Sequence, residues 1–292
     1  MQWMMRRHRQ QSEDVRTWES SAASLPPAGR LHVRFWGVRG SHPSAYSMGS
    51  RFGGNTTCLE LRYGRHVLVV DAGSGIMALG DALMREWRTL PKGERPSLTL
   101  LFTHAHHDHL CGLPFFAPLF EPGMDMHLLG PDLTGLRFEQ ILSRYMCSPY
   151  FPVDFHDLPS RRHVRSIGDG THLVWPQGGA GPTTWKSAAR PPTNTLTVEV
   201  LHAHMHPREG TLTYRISAGG RSLVFATDVE VGERGEEGVQ RFIRFARGAD
   251  VLVHDAQYSE DDYAGASPHR GYGHSTPSMA ARVAQAAEVG RL

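Results

Sequence analysis

Cysteine is almost missing: Cys58, Cys111 and Cys147 are all that 292 residues contain. An odd, sparse set cannot build a disulfide framework, and it favours a reducing compartment. Long apolar runs are missing too, since nothing approaches the ~20 residues that a membrane-spanning helix needs. Arg6, Arg7 and Arg9 near the start are not followed by an apolar segment, which excludes a secretory signal. The expected location is therefore cytoplasmic, with no membrane partner. Net charge is also small: 31 basic against 29 acidic side chains leave +2. That is too little for a surface built to grip nucleic acid. Residues 1–30 are polar and small enough to be read as a disordered tail. Residues 31–292 are long enough for a single large core, and 40% hydrophobic with 21% charged residues is ordinary for a soluble globular domain.

What the chain has in plenty is histidine, 18 in all. The densest group is Thr103-His104-Ala105-His106-His107-Asp108-His109, and it follows the apolar run Ser97 to Phe102, which reads as a buried strand. Imidazoles and a carboxylate thus emerge where a strand ends. These are the ligands that borderline divalent ions such as zinc prefer. On a turning segment His104 and His106 can face one point while Asp108 and His109 face its neighbour. One segment can supply half the ligands of each of two adjacent metals. Cys111 follows closely, and a small buried side chain is its favoured role over that of a soft ligand.

Further strand-end motifs recur along the chain. A first strand over Leu31 to Trp36 leads into Gly37-Val38-Arg39-Gly40-Ser41, and Gly53-Gly54-Asn55-Thr56-Thr57 leads into a strand over Cys58 to Tyr63. Backbone N–H groups beside Arg39 or Asn55 can hold a phosphate, or the two loops are simply tight turns. The strand Val67 to Val70 ends in Asp71, and a helix is expected from Ile76 to Trp87. A second helix is expected from Arg137 to Met146. Tyr150 and Phe151, on a proline-flanked loop, suit stacking on a ring or plugging a core. Gly178 to Pro192 reads as a mobile surface insertion. The strand Leu196 to Leu201 closes in His202, His204 and His206, among which spacing alone does not choose a ligand. Asp228 ends the strand Ser222 to Ala226, where a carboxylate can bridge two ions or cap a turn. The strand Val251 to Val253 runs into His254-Asp255-Ala256-Gln257. His274-Ser275-Thr276 then precedes a helix from Pro277 to Ala287, with Thr276 as N-cap.

T-H-x-H-x-D-H after a buried strand resembles the signature of the metallo-β-lactamase superfamily of hydrolases. H-P-x-x-G-x-x-x-Y-R over His206, Pro207, Gly210, Tyr214 and Arg215 fits the same family, as do H-D-A and H-S-T, which are similar to motifs of ribonuclease Z and its phosphodiesterase relatives. The resemblance implies a four-layer αββα sandwich over residues 31–292. It implies two divalent ions, Zn2+ first and Mn2+ second. One would be held by His104, His106 and His206, the other by Asp108 and His109, with Asp228 bridging. Asp71 would hold a ligating histidine in its tautomer. The implied reaction is hydrolysis of a phosphodiester by a hydroxide held between the metals, oriented by Asp108, with His274 facing the phosphate and Asp255 assisting it.

The family continues past the position of Leu292 into a strand ending in another histidine, and no histidine follows His274. The sandwich is therefore expected to lack its last strand, as in a chain truncated at its C-terminus, with the second metal one protein ligand short. A small or cyclic phosphodiester, such as a cyclic nucleotide or ribose cyclic phosphate, is the expected substrate. The alternative is ribonuclease Z-like tRNA processing. It is disfavoured because that class carries a long arm between the third-motif histidine and the bridging aspartate, whereas 228 − 206 leaves 22 positions here. The low net charge also makes nucleic acid an unfavoured partner. A non-catalytic metal-binding or regulatory protein is the reading from a different class. A homodimer is compatible with the composition.

Overall fold

A computed structural model describes residues 29–45, 51–185, 194–232, 236–265 and 268–292. The expected tail, apart from Gly29 and Arg30, lies outside the described residues. Among these residues twelve strands form two sheets of six. The first sheet runs β1 (His32–Gly37), β2 (Cys58–Tyr63), β3 (His66–Val70), β4 (Ser97–Leu101), β5 (Asp125–Gly130) and β6 (Arg161–Ser166) in spatial order. Its first three strands pair antiparallel, and β3 to β6 are parallel. The second contains β7 (His172–Trp175), β8 (Thr183–Thr184), β9 (Leu196–Ala203), β10 (Thr211–Ala218), β11 (Arg221–Ala226) and β12 (Val251–His254). Its order is β12-β11-β10-β9-β7-β8.

Side-chain alternation along each strand sorts the core into layers. In the first sheet Leu59, Leu61, Leu68, Val70, Leu101 and Leu129 face Val198, Val200, Tyr214, Ile216 and Phe225 of the second, forming the core between the sheets. Their neighbours Val67, Val69, Leu98, Leu100, Met126 and Leu128 point outward, onto Ile76, Leu79 and Leu83 of α1 (Ile76–Thr89) and Phe138 and Leu142 beyond it. A short α2 (His107–Leu110) follows β4, and Phe138 and Leu142 belong to α3 (Phe138–Tyr145). Val224, Ala226 and Leu252 pack outward on Phe242 and Ile243 of α4 (Glu236–Ala246). After α5 (Glu260–Ala264), Met279 and Val283 of α6 (Pro277–Ala286) join that outer layer. The result is helix, sheet, sheet, helix, the four-layer αββα arrangement that the motifs implied.

Thr276 caps α6 as expected, its hydroxyl accepting from Met279 N at 3.3 Å, with Pro277 in the first turn. Among the described residues β12 is the edge of the second sheet, and Leu252 N donates to Arg291 O at 2.8 Å. The stretch read as a mobile insertion, Gly178 to Pro192, needs correction in its described part. Thr183–Thr184 form the edge strand β8 on β7, and Trp185 N donates to His172 O at 2.8 Å. Its Gly and Pro content disguised a two-residue ladder too short to leave a periodic pattern; 186–193 lie outside the described residues.

Candidate metal centre

The four parallel strands of the first sheet end at one rim, and the loop after β4 carries the histidine cluster there. Two hydrogen bonds clamp that loop to the second sheet: Leu212 N donates to Thr103 O at 2.8 Å, and the Tyr214 hydroxyl donates to Phe102 O. The β10 motif residue Tyr214, fully buried, thus fixes the height at which the histidines leave the sandwich.

From β9 the chain turns so that His206 Nε2 comes 3.1 Å from His106 Nδ1. The His104 ring centroid lies 4.5 Å from that of His106 and 5.1 Å from that of His206. One donor atom from each of these three lies within 4.8 Å of the others. The same holds for His104, His109 and Asp228, and for His206, Asp228 and His274. His202 and His204 instead face each other, with centroids 4.1 Å apart, and His202 Nε2 meets Glu209 O at 2.7 Å. The choice that spacing left open therefore falls on His206 by position.

Two aspartates reach the cluster from strand ends on opposite sheets. Asp71, after β3, accepts from Thr103 N and from Thr103 Oγ1, both at 2.8 Å, and contacts His109 Nδ1 at 2.8 Å. Asp228, after β11, places Oδ2 2.9 Å from His109 Nε2. Both have left-handed backbones, at φ 62° and 55°, a conformation that Asp tolerates better than most residues and that recurs at functional sites. Asp108 lies 3.4 Å from His109 Nε2 and accepts from Ser41 N at 2.9 Å. The Gly37–Ser41 loop thereby touches the site through its backbone.

The opposite wall is a pair. His274 Nδ1 lies 2.7 Å from Asp255 Oδ2 and 3.5 Å from Asp228 Oδ1. Asp255 is held in place by Val229 N at 3.2 Å and Gln257 N at 3.0 Å. Burial works against charge on His274, but hydrogen bonding and charge from Asp255 outweigh it and raise its proton affinity. Glu230, which no sequence motif marked, anchors the loop before His274. Its carboxylate accepts from Gly271 N at 2.6 Å, Gly273 N at 2.8 Å and the Tyr263 hydroxyl at 2.9 Å.

The donor set fits divalent metal. His104 Nε2 is buried with no hydrogen-bond partner, an arrangement that is costly unless something else satisfies it. Burial, then the charge of His109, drives His104 far below the ordinary imidazole range, so it is neutral and its lone pair is available. Burial likewise opposes charge on both His109 and Asp228. Their attraction prevails, raising His109 and pulling Asp228 well below the carboxylate range. Buried carboxylates here demand nearby positive charge.

Other expected residues stand apart. Asn55 serves the loop: its carbonyl accepts from Val38 N and Arg39 N at 3.1 and 3.0 Å, and its side chain meets Ser74 Oγ at 3.2 Å. Arg39 Nε donates to His42 O at 2.9 Å. Tyr150 is 82% exposed, and Phe151 meets Phe115 edge-on with centroids 5.9 Å apart. Cys111 Sγ lies 3.4 Å from Thr56 Oγ1, outside the ligand groups. Beside His104 and His106 opens a cavity of about 400 Å³, lined by Leu133, Leu136, Ile141, Arg144, Tyr145 and Arg208 among others. Tyr150 and Phe151 do not line it. No sequence signal gathered these residues, because they come from the loop before α3, from α3 itself and from the loop after β9.

A family model described as the beta-lactamase superfamily domain matches residues 66–292. Among curated proteins, the ribonuclease Z of Metallosphaera sedula is 28% identical over 217 residues, 66% of this chain and 68% of that one. Among solved structures, the metallo-beta-lactamase fold protein YhfI from Bacillus subtilis superposes with a TM-score of 0.56 at 19% identity, covering 89% of this chain and 84% of that one. The short form of human tRNase Z gives 0.54 at 20% identity, covering 89% and 90%.

Proposed function

The chain belongs to the beta-lactamase superfamily, in the ribonuclease Z-like branch of metallo-β-lactamase hydrolases, and on that footing we propose that it hydrolyses a small or cyclic phosphodiester. The fold implies divalent metal. His104, His106, His206 and Asp228 would hold one ion, and Asp108, His109 and Asp228 the other, with Zn2+ the best match to so many imidazoles. When bound, such ions acidify water to near neutral pH and neutralise charge developing on a phosphoryl group.

The observation that carries the phosphodiester reading is the Asp255–His274 pair, 2.7 Å apart, beside His206 and Asp228. Asp255 fixes the Nδ1 proton, so Nε2 is the nitrogen left to meet substrate. A protonated imidazole there can hand its Nε2 proton to a departing alkoxide oxygen. Asp108, steadied by Ser41 N–H, orients the attacking water. Asp71 keeps the His109 ring oriented through Nδ1. The adjoining cavity of about 400 Å³, apolar with Arg144 and Arg208 on its wall, suits a leaving group of one ring or nucleoside.

The second reading is tRNA processing, favoured by the name of the curated relatives. Against it, β10 and β11 with their turn fill most of the 22 positions between His206 and Asp228. Assaying zinc-loaded protein with bis-p-nitrophenyl phosphate, a nucleoside 2′,3′-cyclic phosphate and a precursor tRNA separates the two. Turnover of the small esters is expected. Cleavage of the tRNA alone would move the assignment to the second reading, and cleavage of none would leave the metal-binding, non-catalytic one.

A further inference from the structure

Outside this centre, one other group of described side chains has the geometry of a ligand set. Asp125 and His127 point from β5 to the same side of the first sheet, being two residues apart on a strand. In the parallel pairing of β5 with β6, His127 stands opposite His163. The two imidazoles stack with centroids 4.7 Å apart and planes inclined by 20°. His163 Nε2 is 2.8 Å from Asp125 Oδ1, and one donor atom from each of the three residues lies within 4.8 Å of the others.

His127 shares the mark of His104 at the main centre: its Nδ1 is buried without a hydrogen-bond partner. Its other nitrogen is closed off by the chain entering β8. A Cβ on Gly181 would fall 1.8 Å from His127 Nε2, so Gly181 lies directly against that nitrogen and Nδ1 is the ring's spare donor. Arg165 secures that cover by donating to Pro182 O at 2.8 Å. Arg161, 75% exposed, contacts Asp125 at 3.6 Å and is free enough to swing aside.

We propose that Asp125, His127 and His163 form a separate binding site for a borderline divalent ion such as Zn2+. Two imidazoles and one carboxylate select zinc, nickel or copper over calcium or magnesium, which require oxygen ligands. Because Asp125 and His163 are exposed, solvent completes the coordination, and the ion exchanges readily. The site is not a part of the main centre. Leu98 of β4 pairs with Met126, and His104 lies six residues further along, so roughly 20 Å of extended chain separates the two. An ion here would tie β5 to the sheet-edge strand β6 beneath the β7–β8 hairpin.

Equilibrium dialysis of the full chain against Zn2+ tests this, with His163→Ala and Asp125→Asn as variants. Both side chains are about half exposed, so neither change threatens folding. Each variant is expected to bind one zinc equivalent fewer than the unmodified chain, with unchanged turnover of bis-p-nitrophenyl phosphate. Calcium in excess should not displace that equivalent. Zinc stoichiometry and affinity in either variant equal to those of the unmodified chain would overturn the proposal.

Discussion

Glu230→Gln is the perturbation that asks most of the proposed site. The carboxylate serves both sides of one turn: one oxygen takes Gly271 N and the Tyr263 hydroxyl, and the other takes Gly273 N. An amide offers one accepting oxygen and turns its NH2 toward the remaining N–H. One charge-assisted hydrogen bond is therefore lost, about 1.5–3 kcal/mol, and the turn must shift to relieve the facing donors. Two site residues move with it. His274 follows Gly273 directly, and the Gly273 carbonyl is 3.0 Å from His206 Nδ1. Since a 1 Å misplacement can cost about 10²-fold, kcat is expected to fall roughly 10–100-fold while the fold survives. The loss should be larger for an alkoxide leaving group than for p-nitrophenolate, because the displaced group is the proposed proton donor. The assay is kcat for two such esters on zinc-loaded enzyme, beside a urea unfolding curve. A variant that loses stability yet keeps kcat within about twofold on both esters would refute the reasoning, leaving Glu230 as a loop anchor alone.

His274→Ala should lower kcat for an alkoxide ester by on the order of 10²–10⁴ and spare a p-nitrophenyl ester. Metal content, measured by elemental analysis, is expected to hold; because His274 stands within ligand reach of His206 and Asp228, loss of an equivalent would make it a ligand instead. Asp228→Ala should lose metal and activity together, and retention of both metals would remove its bridging role. Asp71→Asn keeps one accepting oxygen for Thr103 N and turns its NH2 toward Thr103 Oγ1 and His109 Nδ1, so zinc affinity should weaken by ~10–100-fold in competition with a chelator. His254 gives a pH test on a group outside the candidate ligand set. Burial lowers its pKa from 6.5 to about 4, against a weaker hydrogen bond to Asp255 O. Between those values the unfolded chain holds the proton and the folded one does not, so stability rises with pH across that window, by about 3 kcal/mol in all. The slope should shrink in His254→Gln, and an unchanged slope would place the titration elsewhere.

Strands and their order of motifs were legible because burial on both faces leaves unbroken apolar runs such as Val67 to Val70 and Leu100 to Phe102, each closed by a polar residue that cannot continue inward. The histidine spacing after β4 was legible for a related reason. Ligands that come from one turn leave a local pattern, and His104 to His109 come from one turn. What the sequence could not display is anything assembled from distant loops. Glu230 acts through backbone N–H groups of Gly271 and Gly273, and a backbone partner has no letter. The cavity walls at Leu133, Ile141 and Arg208 are ordinary residues until the fold places them side by side. The loops of Arg39 and Asn55 hide a backbone contact of the same kind. Their glycine-rich loops do approach the site, yet it is Ser41 N, at a left-handed φ of 67°, that reaches Asp108.

The arrangement around His109 explains why two sheets are needed for one centre. Its Nδ1 is met by Asp71 from the end of β3 in the first sheet, and its Nε2 by Asp228 from the end of β11 in the second, at 2.8 and 2.9 Å. Both aspartates adopt left-handed backbones, a local cost that each sheet must over-determine through its own ladder. A single imidazole, 1% exposed, thus records the relative height of the two sheets. Sliding either sheet by one residue, about 3.3 Å, would break one of its contacts and strand a buried carboxylate. The same sliding is resisted by Leu212 N on Thr103 O and by the Tyr214 hydroxyl on Phe102 O. Positioning of the candidate metal ligands and packing of the sandwich are therefore set by the same few bonds, so a substitution that loosens the inter-sheet core near Tyr214 should weaken metal binding before it unfolds the chain.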